Sequence, residues 1–285
     1  SGFKVVSRSG APAVTTGDPA RMRPIASLAE AARARVRGVL ADIDDTLTTD
    51  GRLTAAAYAA LARLHEAGYV VVPITGRPAG WCDHIARMWP VSGVVGENGA
   101  LWMRHDPATH RLVRRFVATD AERAANRARL EGVGARILAA VPGTALASDQ
   151  RYREADLAID YCEDVPPLPR ADVDRIVAIM EAEGMTAKVS SIHVNGWFGA
   201  YDKLGMTRRF LAEALAIDLD AERDRFVFVG DSGNDAPMFA YFPLSIGVAN
   251  VRAFLDRLAT PPAYVTERAS GAGFVEVAER LLARP

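Results

Sequence analysis

Short continuous apolar runs punctuate this chain: Val39-Leu40-Ala41, Tyr69-Val70-Val71-Val72 and Phe226-Val227-Phe228-Val229. Strands buried on both faces read this way, whereas half-exposed strands alternate. Between the first two runs the apolar spacing becomes helical. Thr54 stands in capping position, Leu53, Ala57, Leu61 and Leu64 share one face, and Gly68 ends the element. The same reading predicts a strand over 69–74, a helix over 78–89 and a strand over 93–95, an alternation that implies a parallel sheet with right-handed crossovers. From about 103 to 197 the pattern changes. Leu112 to Ala118 reads as a strand, Asp120 to Ala140 as an arginine-rich helix, Leu157 to Tyr161 as a strand and Ala171 to Gly184 as a second helix. Met185 to Ser190 and Ile192 to Trp197 read as paired strands, and after Lys203 the strand–helix alternation returns. The expected fold class is α/β: a Rossmann-like doubly wound parallel sheet from residues 25–102 and 198–285, with an inserted α+β domain over 103–197. The connections near Trp102 and Trp197 are the expected hinges. Residues 1–24, rich in Ser, Gly, Pro and Thr, read as a flexible arm, and Ala26 to Arg37 as a helix leading into the first strand.

Composition narrows the function classes. At 285 residues, 49% hydrophobic and 24% charged, the chain can bury one large core or two modest ones. A net charge of −1 without a dense basic stripe argues against nucleic-acid binding. No apolar run approaches the roughly 20 residues a membrane span needs, and the N-terminal segment lacks a sustained apolar signal core. Cys82 and Cys162 lie far apart without metal-ligand spacing, so free thiols in a reducing cytoplasm are expected.

The chemistry sits where the apolar runs stop. Val39-Leu40-Ala41 leads into Asp42-Ile43-Asp44-Asp45-Thr46, three carboxylates and a threonine. A parallel strand ending there opens into the crevice where such sheets bind ligands, and crowded carboxylates call for a cation or a shared proton. A solvated turn or helix cap would use the same residues. Thr75-Gly76-Arg77 follows the second run and offers a hydroxyl and freed backbone N–H groups to a phosphate oxygen, or forms an ordinary turn. Lys203 opens an amphipathic run. Of 34 basic residues only Lys4, Lys188 and Lys203 are lysine, so each marks a place where a compact point charge is preferred to a planar fork. Phe226-Val227-Phe228-Val229 ends in Gly230-Asp231-Ser232-Gly233-Asn234-Asp235, two carboxylates four residues apart.

In this order the segments resemble the haloacid dehalogenase-like superfamily of phosphotransferases. Asp42, Asp44 and Thr46 match its D-x-D-x-T signature, Thr75 its second motif, Lys203 its third, and Gly230 to Asp235 its fourth. The resemblance implies that Asp42 is the nucleophile that forms an aspartyl-phosphate and that Asp44 is the general acid and base. It implies a Mg²⁺ cofactor on Asp42, the Asp44 carbonyl and Asp231, with Asp235 joining the metal set or orienting a metal-bound water or Lys203. Thr75 and Lys203 would hold the phosphoryl oxygens, with Gly76 and Asn234 beside them and Arg77 either contacting substrate or bracing the loop, while Thr46 supports the nucleophile loop. The insert resembles the type IIB cap of this superfamily, and Gly-Asp-Ser-Gly-Asn-Asp is similar to the fourth motif of sucrose-phosphate and mannosyl-3-phosphoglycerate phosphatases.

Candidate cap-side contacts follow from residue chemistry. Glu97 and Asn98 stand near the expected crevice. Lys188 suits an anionic or hydroxyl-rich substrate part, and Ser190, Ser191, His193 and Asn195 with Trp197 suit a sugar, although cross-strand pairing on a solvated face explains the same cluster. The implied function is a cytoplasmic Mg²⁺-dependent phosphatase of a small phosphorylated metabolite, a sugar phosphate first among them. The alternatives are a phosphomutase using the same aspartates and a non-catalytic binding module.

Overall fold

The computed structural model describes residues 22–283. The first half of the core comprises β1 (Arg23–Pro24), α1 (Glu30–Arg35), β2 (Gly38–Ala41), the short hairpin β3 (Thr48–Thr49) and β4 (Arg52–Leu53), α2 (Ala55–Glu66), β5 (Val70–Pro73), α3 (Ala79–Met88) and β6 (Val94–Gly96). A hairpin follows, β7 (Leu101–Asp106) and β8 (Arg111–Phe116). The insert holds α4 (Asp120–Ala140), β9 (Ala145–Leu146), β10 (Leu157–Asp160), α5 (Arg170–Ala182), β11 (Thr186–Val189) and β12 (His193–Trp197). The chain then returns through α6 (Lys203–Leu215), α7 (Leu219–Glu222), β13 (Phe226–Gly230), α8 (Ala236–Tyr241), β14 (Leu244–Gly247), β15 (Tyr264–Val265) and α9 (Ser270–Leu282).

The central sheet runs β1-β15-β14-β13-β2-β5 with every pair parallel. Its two faces separate by the two-residue period of a strand. Val39, Val71, Val227 and Val229 face α2, α3 and α9, where Leu61, Leu64, Ile85, Phe274 and Val277 are buried. Leu40, Val72, Phe226 and Phe228 face α6 and α8, against Met206, Phe210, Met238 and Phe239. This is the doubly wound α/β core expected from the continuous apolar runs. Because the strands are parallel, the C-terminal ends of β2, β5 and β13 leave the sheet at one edge, and Asp42, Thr75 and Asp231 follow them directly.

The structure redraws two expected boundaries. Met22 is buried, and Arg23–Pro24 pairs with β15, with the Arg23 guanidinium 4.3 Å above the Tyr264 ring; these residues complete the sheet instead of trailing as an arm. Residues 1–21 of the expected arm lie outside the described residues. The helix expected over Ala26 to Arg37 is a single 3-10 turn followed by the short α1. Residues 103–116, which the sequence pattern groups with the insert, belong to the core hairpin. β7 pairs with β6, a parallel bridge from Val95 to Ile74 ties β6 to β5, and Leu101, Trp102, Met103 and Phe116 pack on α3 and α6. Trp102 is therefore a core residue, and the insert begins at Thr119, whose side chain and that of Glu122 form a reciprocal capping box for α4.

The insert is an antiparallel sheet, β11-β12-β10-β9, with α4 and α5 on one face. Leu130, Val133, Ile137, Val173, Ile176 and Met180 from the helices pack on Leu157, Ile159 and Val194. The opposite face carries Asp160, Lys188, His193 and Asn195 toward the core. Among the described residues no helix is long and apolar enough to cross a membrane.

Candidate active site

Four acidic or basic side chains converge beyond the sheet edge. Lys203 is the first residue of α6, a helix capped by the Asp202 carboxylate, which accepts the Gly205 N–H at 2.7 Å. Its ammonium is buried and donates to Asp42 Oδ1 at 3.0 Å and to Asp235 Oδ1 at 3.1 Å. Asp235 Oδ2 accepts the Asp231 N–H at 3.0 Å, so both of its oxygens are engaged in fixing Lys203 and the loop after β13. Burial works to lower the Lys203 ammonium, but Asp235 and Asp42 outweigh it and hold it above its ordinary value. Burial pushes Asp42 up to about 8; Lys203 opposes the shift while Asp235 and Asp44 reinforce it.

Asp231 is fully buried and is likewise raised, first by burial and then by Asp42 and Asp235. Its Oδ2 accepts from Asn250 Nδ2 at 3.2 Å, but its Oδ1 is buried without a hydrogen-bond partner. One oxygen from each of Asp42, Asp231 and Asp235 lies within 4.8 Å of the others. An unpartnered carboxylate oxygen in an all-oxygen cluster fits a hard divalent cation such as Mg²⁺. Thr75, also fully buried, accepts the Arg77 N–H at 2.9 Å through Oγ1 and so shapes the turn after β5. Thr46 is fully buried within the nucleophile loop, its N–H bonded to the Ile43 carbonyl at 3.2 Å.

A family model described as haloacid dehalogenase-like hydrolase matches residues 39–126, the stretch that holds Asp42, Asp44 and Thr75. Over that stretch the chain is similar to haloacid dehalogenase-like hydrolases. It is similar to a phosphoglycolate phosphatase of Methanospirillum hungatei, 24% identical over 245 residues, which cover 85% of this chain and 95% of the relative. Among solved structures it is similar to Thermoplasma acidophilum 0175, with a TM-score of 0.61 and 20% identity over 86% of this chain and 98% of that one. The C-terminal domain of a C. albicans trehalose-6-phosphate phosphatase gives 0.63 and 12% over 88% and 94%. The Synechocystis sucrose-phosphatase, in complex with sucrose and phosphate, gives 0.55 and 16% over 87% and 100%.

The insert meets the core through a buried polar clasp, which departs from several sequence expectations. Arg77, expected to contact substrate or to brace the loop, is buried and donates to three carboxylates. Its Nε meets Asp44 at 2.9 Å, Nη1 meets Asp149 Oδ2 at 2.9 Å, and Nη2 meets Glu163 Oε1 at 2.5 Å. Asp149 and Glu163 belong to the insert, so one guanidinium ties both domains to Asp44. Burial works upward on Glu163, but His193, whose Nε2 lies 2.7 Å from Oε2, and Arg77 outweigh it and hold Glu163 down at about 2.

Glu97, expected as a substrate contact, is fully buried. Its carboxylate accepts the N–H groups of Ala79 at 2.9 Å, Glu154 at 3.0 Å, Ala155 at 2.8 Å and Asp156 at 3.2 Å, the first from α3 and the others from the insert. Glu97, Asn98 and Gly99 all have positive φ, at 44°, 56° and 102°. At Gly99 a Cβ would fall 2.0 Å from the Asp202 carbonyl, so only glycine allows this turn to approach the start of α6. Asn98 donates to Asp156 Oδ2 at 3.3 Å, and the Gly76 carbonyl accepts from Arg153 Nη1 at 2.8 Å. Arg153 also pairs with Asp149 and Asp156.

Of the remaining expected residues, His193 and Asn234 reach the interface with Asp42, where the space between core and insert is only about 10 Å³. Asn234 Oδ1 accepts from Ser232 at 2.8 Å. Lys188 is exposed and stands in a separate cavity. Ser190 closes the β11–β12 hairpin by accepting the His193 N–H at 3.0 Å. Asp149, Arg153, Asp156, Glu163 and Asn250 were not visible from sequence. Asn250 carried one available signal, since it follows the apolar strand Leu244–Gly247 as the motif residues follow theirs.

Proposed function

We propose that this chain is a Mg²⁺-dependent phosphatase that hydrolyses a small phosphorylated metabolite through an aspartyl-phosphate on Asp42. The observation that carries the reading is the buried Asp42–Lys203–Asp235 arrangement beside the unpartnered Asp231 oxygen. In the first step an Asp42 oxygen forms a bond to phosphorus as the phosphorus–oxygen ester bond breaks, and Asp44 gives its proton to the leaving alcohol. In the second, a water bonds to phosphorus while Asp44 takes its proton, and the Asp42–phosphorus bond breaks to restore the carboxylate. Lys203 holds charge on the transferring group, where a fixed ammonium is most effective. Held by Asp42, the Asp44 carbonyl and Asp231, Mg²⁺ would neutralise the phosphoryl oxygens and offset the crowded carboxylates. Residues of the insert on the far side of the crevice, Lys188, His193 and Asn195, would contact the leaving group.

The similar proteins are named for phosphoglycolate, trehalose 6-phosphate and sucrose phosphate, all small phosphate monoesters, which supports a substrate of that class, a sugar phosphate among them. Release of inorganic phosphate from a panel of phosphorylated sugars, acids and an aryl phosphate tests the proposal. Asp42→Asn should abolish release while the folded spectrum persists. Activity within tenfold of wild type in that variant, or undiminished in chelator, refutes it. Isomerised ester without free phosphate would assign a phosphomutase instead.

A further inference from the structure

Asn250, just beyond β14, has no part in the mechanism above, yet its side-chain amide is fully committed. Nδ2 donates to the Asp45 carbonyl at 3.0 Å and to Asp231 Oδ2 at 3.2 Å, while Oδ1 accepts the Ser270 N–H at 2.9 Å. This orientation is forced, because the reverse would set Oδ1 against two acceptors and Nδ2 against a donor. Asp45 and Ser270 both hold left-handed backbone, with φ of 57° and 53°. Such conformations persist where the surroundings over-determine them, and they gather at functional sites. Both are fastened to the same side chain.

The nucleophile loop after β2, the loop after β13 and the start of α9 therefore meet at one amide. Asp231 is fully buried, and with Oδ2 accepting from Asn250 its Oδ1 is the oxygen left without a partner. Capping is a simpler role for Asn250, since Ala269, the residue before α9, makes no side-chain cap bond. A cap needs only Oδ1, however, and leaves both bonds from Nδ2 without a purpose. Resting on the Mg²⁺-dependent reading above, we infer that Asn250 is a positioning residue that fixes Asp231 against the nucleophile loop and presets Oδ1 for the metal. It acts through Asp231 and not on the phosphoryl group. Mg²⁺ demands near-ideal octahedral geometry, whereas Ca²⁺ accepts a looser ligand set, so the preset carboxylate favours Mg²⁺ over Ca²⁺.

Calorimetric titration with Mg²⁺ and with Ca²⁺, in the absence of substrate, reads this apart from turnover. Asn250→Ala should weaken Mg²⁺ binding by about tenfold or more, the usual cost of losing a partner that orients a metal ligand, and should weaken Ca²⁺ binding distinctly less. Combining Asn250→Ala with Ala269→Ser supplies α9 with a new cap. The double variant should recover the Tm of the metal-free protein but not its Mg²⁺ affinity, and it carries the test if the single variant does not fold. Mg²⁺ affinity within about twofold of wild type in either variant, or an equal loss for both ions, overturns the inference and leaves the phosphatase reading standing. If wild type binds neither ion, the Mg²⁺ reading itself fails and the inference falls with it.

Discussion

Replacing Arg77 with methionine tests whether the two domains are held together by charge. The guanidinium is buried and faces Asp44, Asp149 and Glu163, so its removal strands carboxylates, which typically costs about 3–5 kcal/mol for a buried pair. The three partners do not suffer equally. Asp149 keeps Arg153, with contacts of 3.1 and 3.2 Å, and Glu163 keeps His193 at 2.7 Å while remaining partly exposed. Asp44 loses its cation outright but retains some access to solvent. The expected loss is therefore near the low end of that range, about 3 kcal/mol. Arg77→Lys should lose about half as much, because one ammonium neutralises one carboxylate but cannot bridge three.

Urea denaturation followed by tryptophan fluorescence reads this directly, since Trp81 lies 4.3 Å beneath the Arg77 guanidinium. Acid adds a signed check. Glu163 is held at about 2 in the folded protein, below its ordinary value, so its stabilising contribution is present above about 4.5 and is lost as pH falls toward 2. The gap between wild type and Arg77→Met should therefore narrow between pH 5 and pH 3. A methionine variant within about 0.5 kcal/mol of wild type, or indistinguishable from the lysine variant, refutes the clasp, because changes that small are typical of surface sites.

Three further outcomes follow from the same geometry. Glu97→Ala leaves four N–H groups without their acceptor, of which those of Ala79 and Asp156 are buried and cost about 1–3 kcal/mol each, so it should lower Tm by several degrees; an unchanged Tm with a raised KM would make Glu97 a ligand instead. Asp42 is pushed up to about 8, so its proton stabilises the metal-free fold fully below about 3.8 and that contribution is lost as pH rises through 8. Mg²⁺ must displace that proton, so the rise in Tm that it produces should be larger at pH 8 than at pH 6, and equal rises would refute the ligand role of Asp42. Lys203→Met should lower kcat by about 10² or more, and Lys203→Arg should not restore it, because the buried slot between Asp42 and Asp235 fits an ammonium and not a planar fork; full activity in the arginine variant contradicts this.

What was legible in the sequence is what local pattern controls. Continuous apolar runs marked the parallel strands, and polar residues immediately after them marked Asp42, Thr75 and Asp231, because a parallel sheet exposes all its C-terminal ends on one edge. Residues 103–116 were grouped with the insert because Leu112 to Ala118 reads as a strand, and a strand's own sequence does not reveal which sheet it joins. Only the pairing of β7 with β6 assigns them to the core. The clasp was illegible for a different reason. Ser148 to Glu154 reads as a charged surface loop with no periodicity, and nothing local distinguishes solvated Asp149 and Arg153 from the buried pair they become. Glu97 looked like a ligand because a carboxylate near a crevice usually is one; its role emerges only when the N–H groups of residues 154–156 arrive from the insert.

The insert meets the core in two unlike ways, and their placement has a mechanistic consequence. On one side Glu97, Asn98 and Arg77 bind residues 149–163 through buried hydrogen bonds, which fixes how the insert seats. On the other side Lys188, Tyr201 and Lys203 leave a cavity. The clasp reaches the chemistry at Asp44, whose two oxygens both accept from Arg77 in this closed arrangement. On the proposed mechanism Asp44 would exchange Arg77 for the substrate oxygen, and Arg77 would retain Asp149 and Glu163. Those two carboxylates would keep the guanidinium within the clasp while Asp44 turns, a role that a single acid partner could not fill.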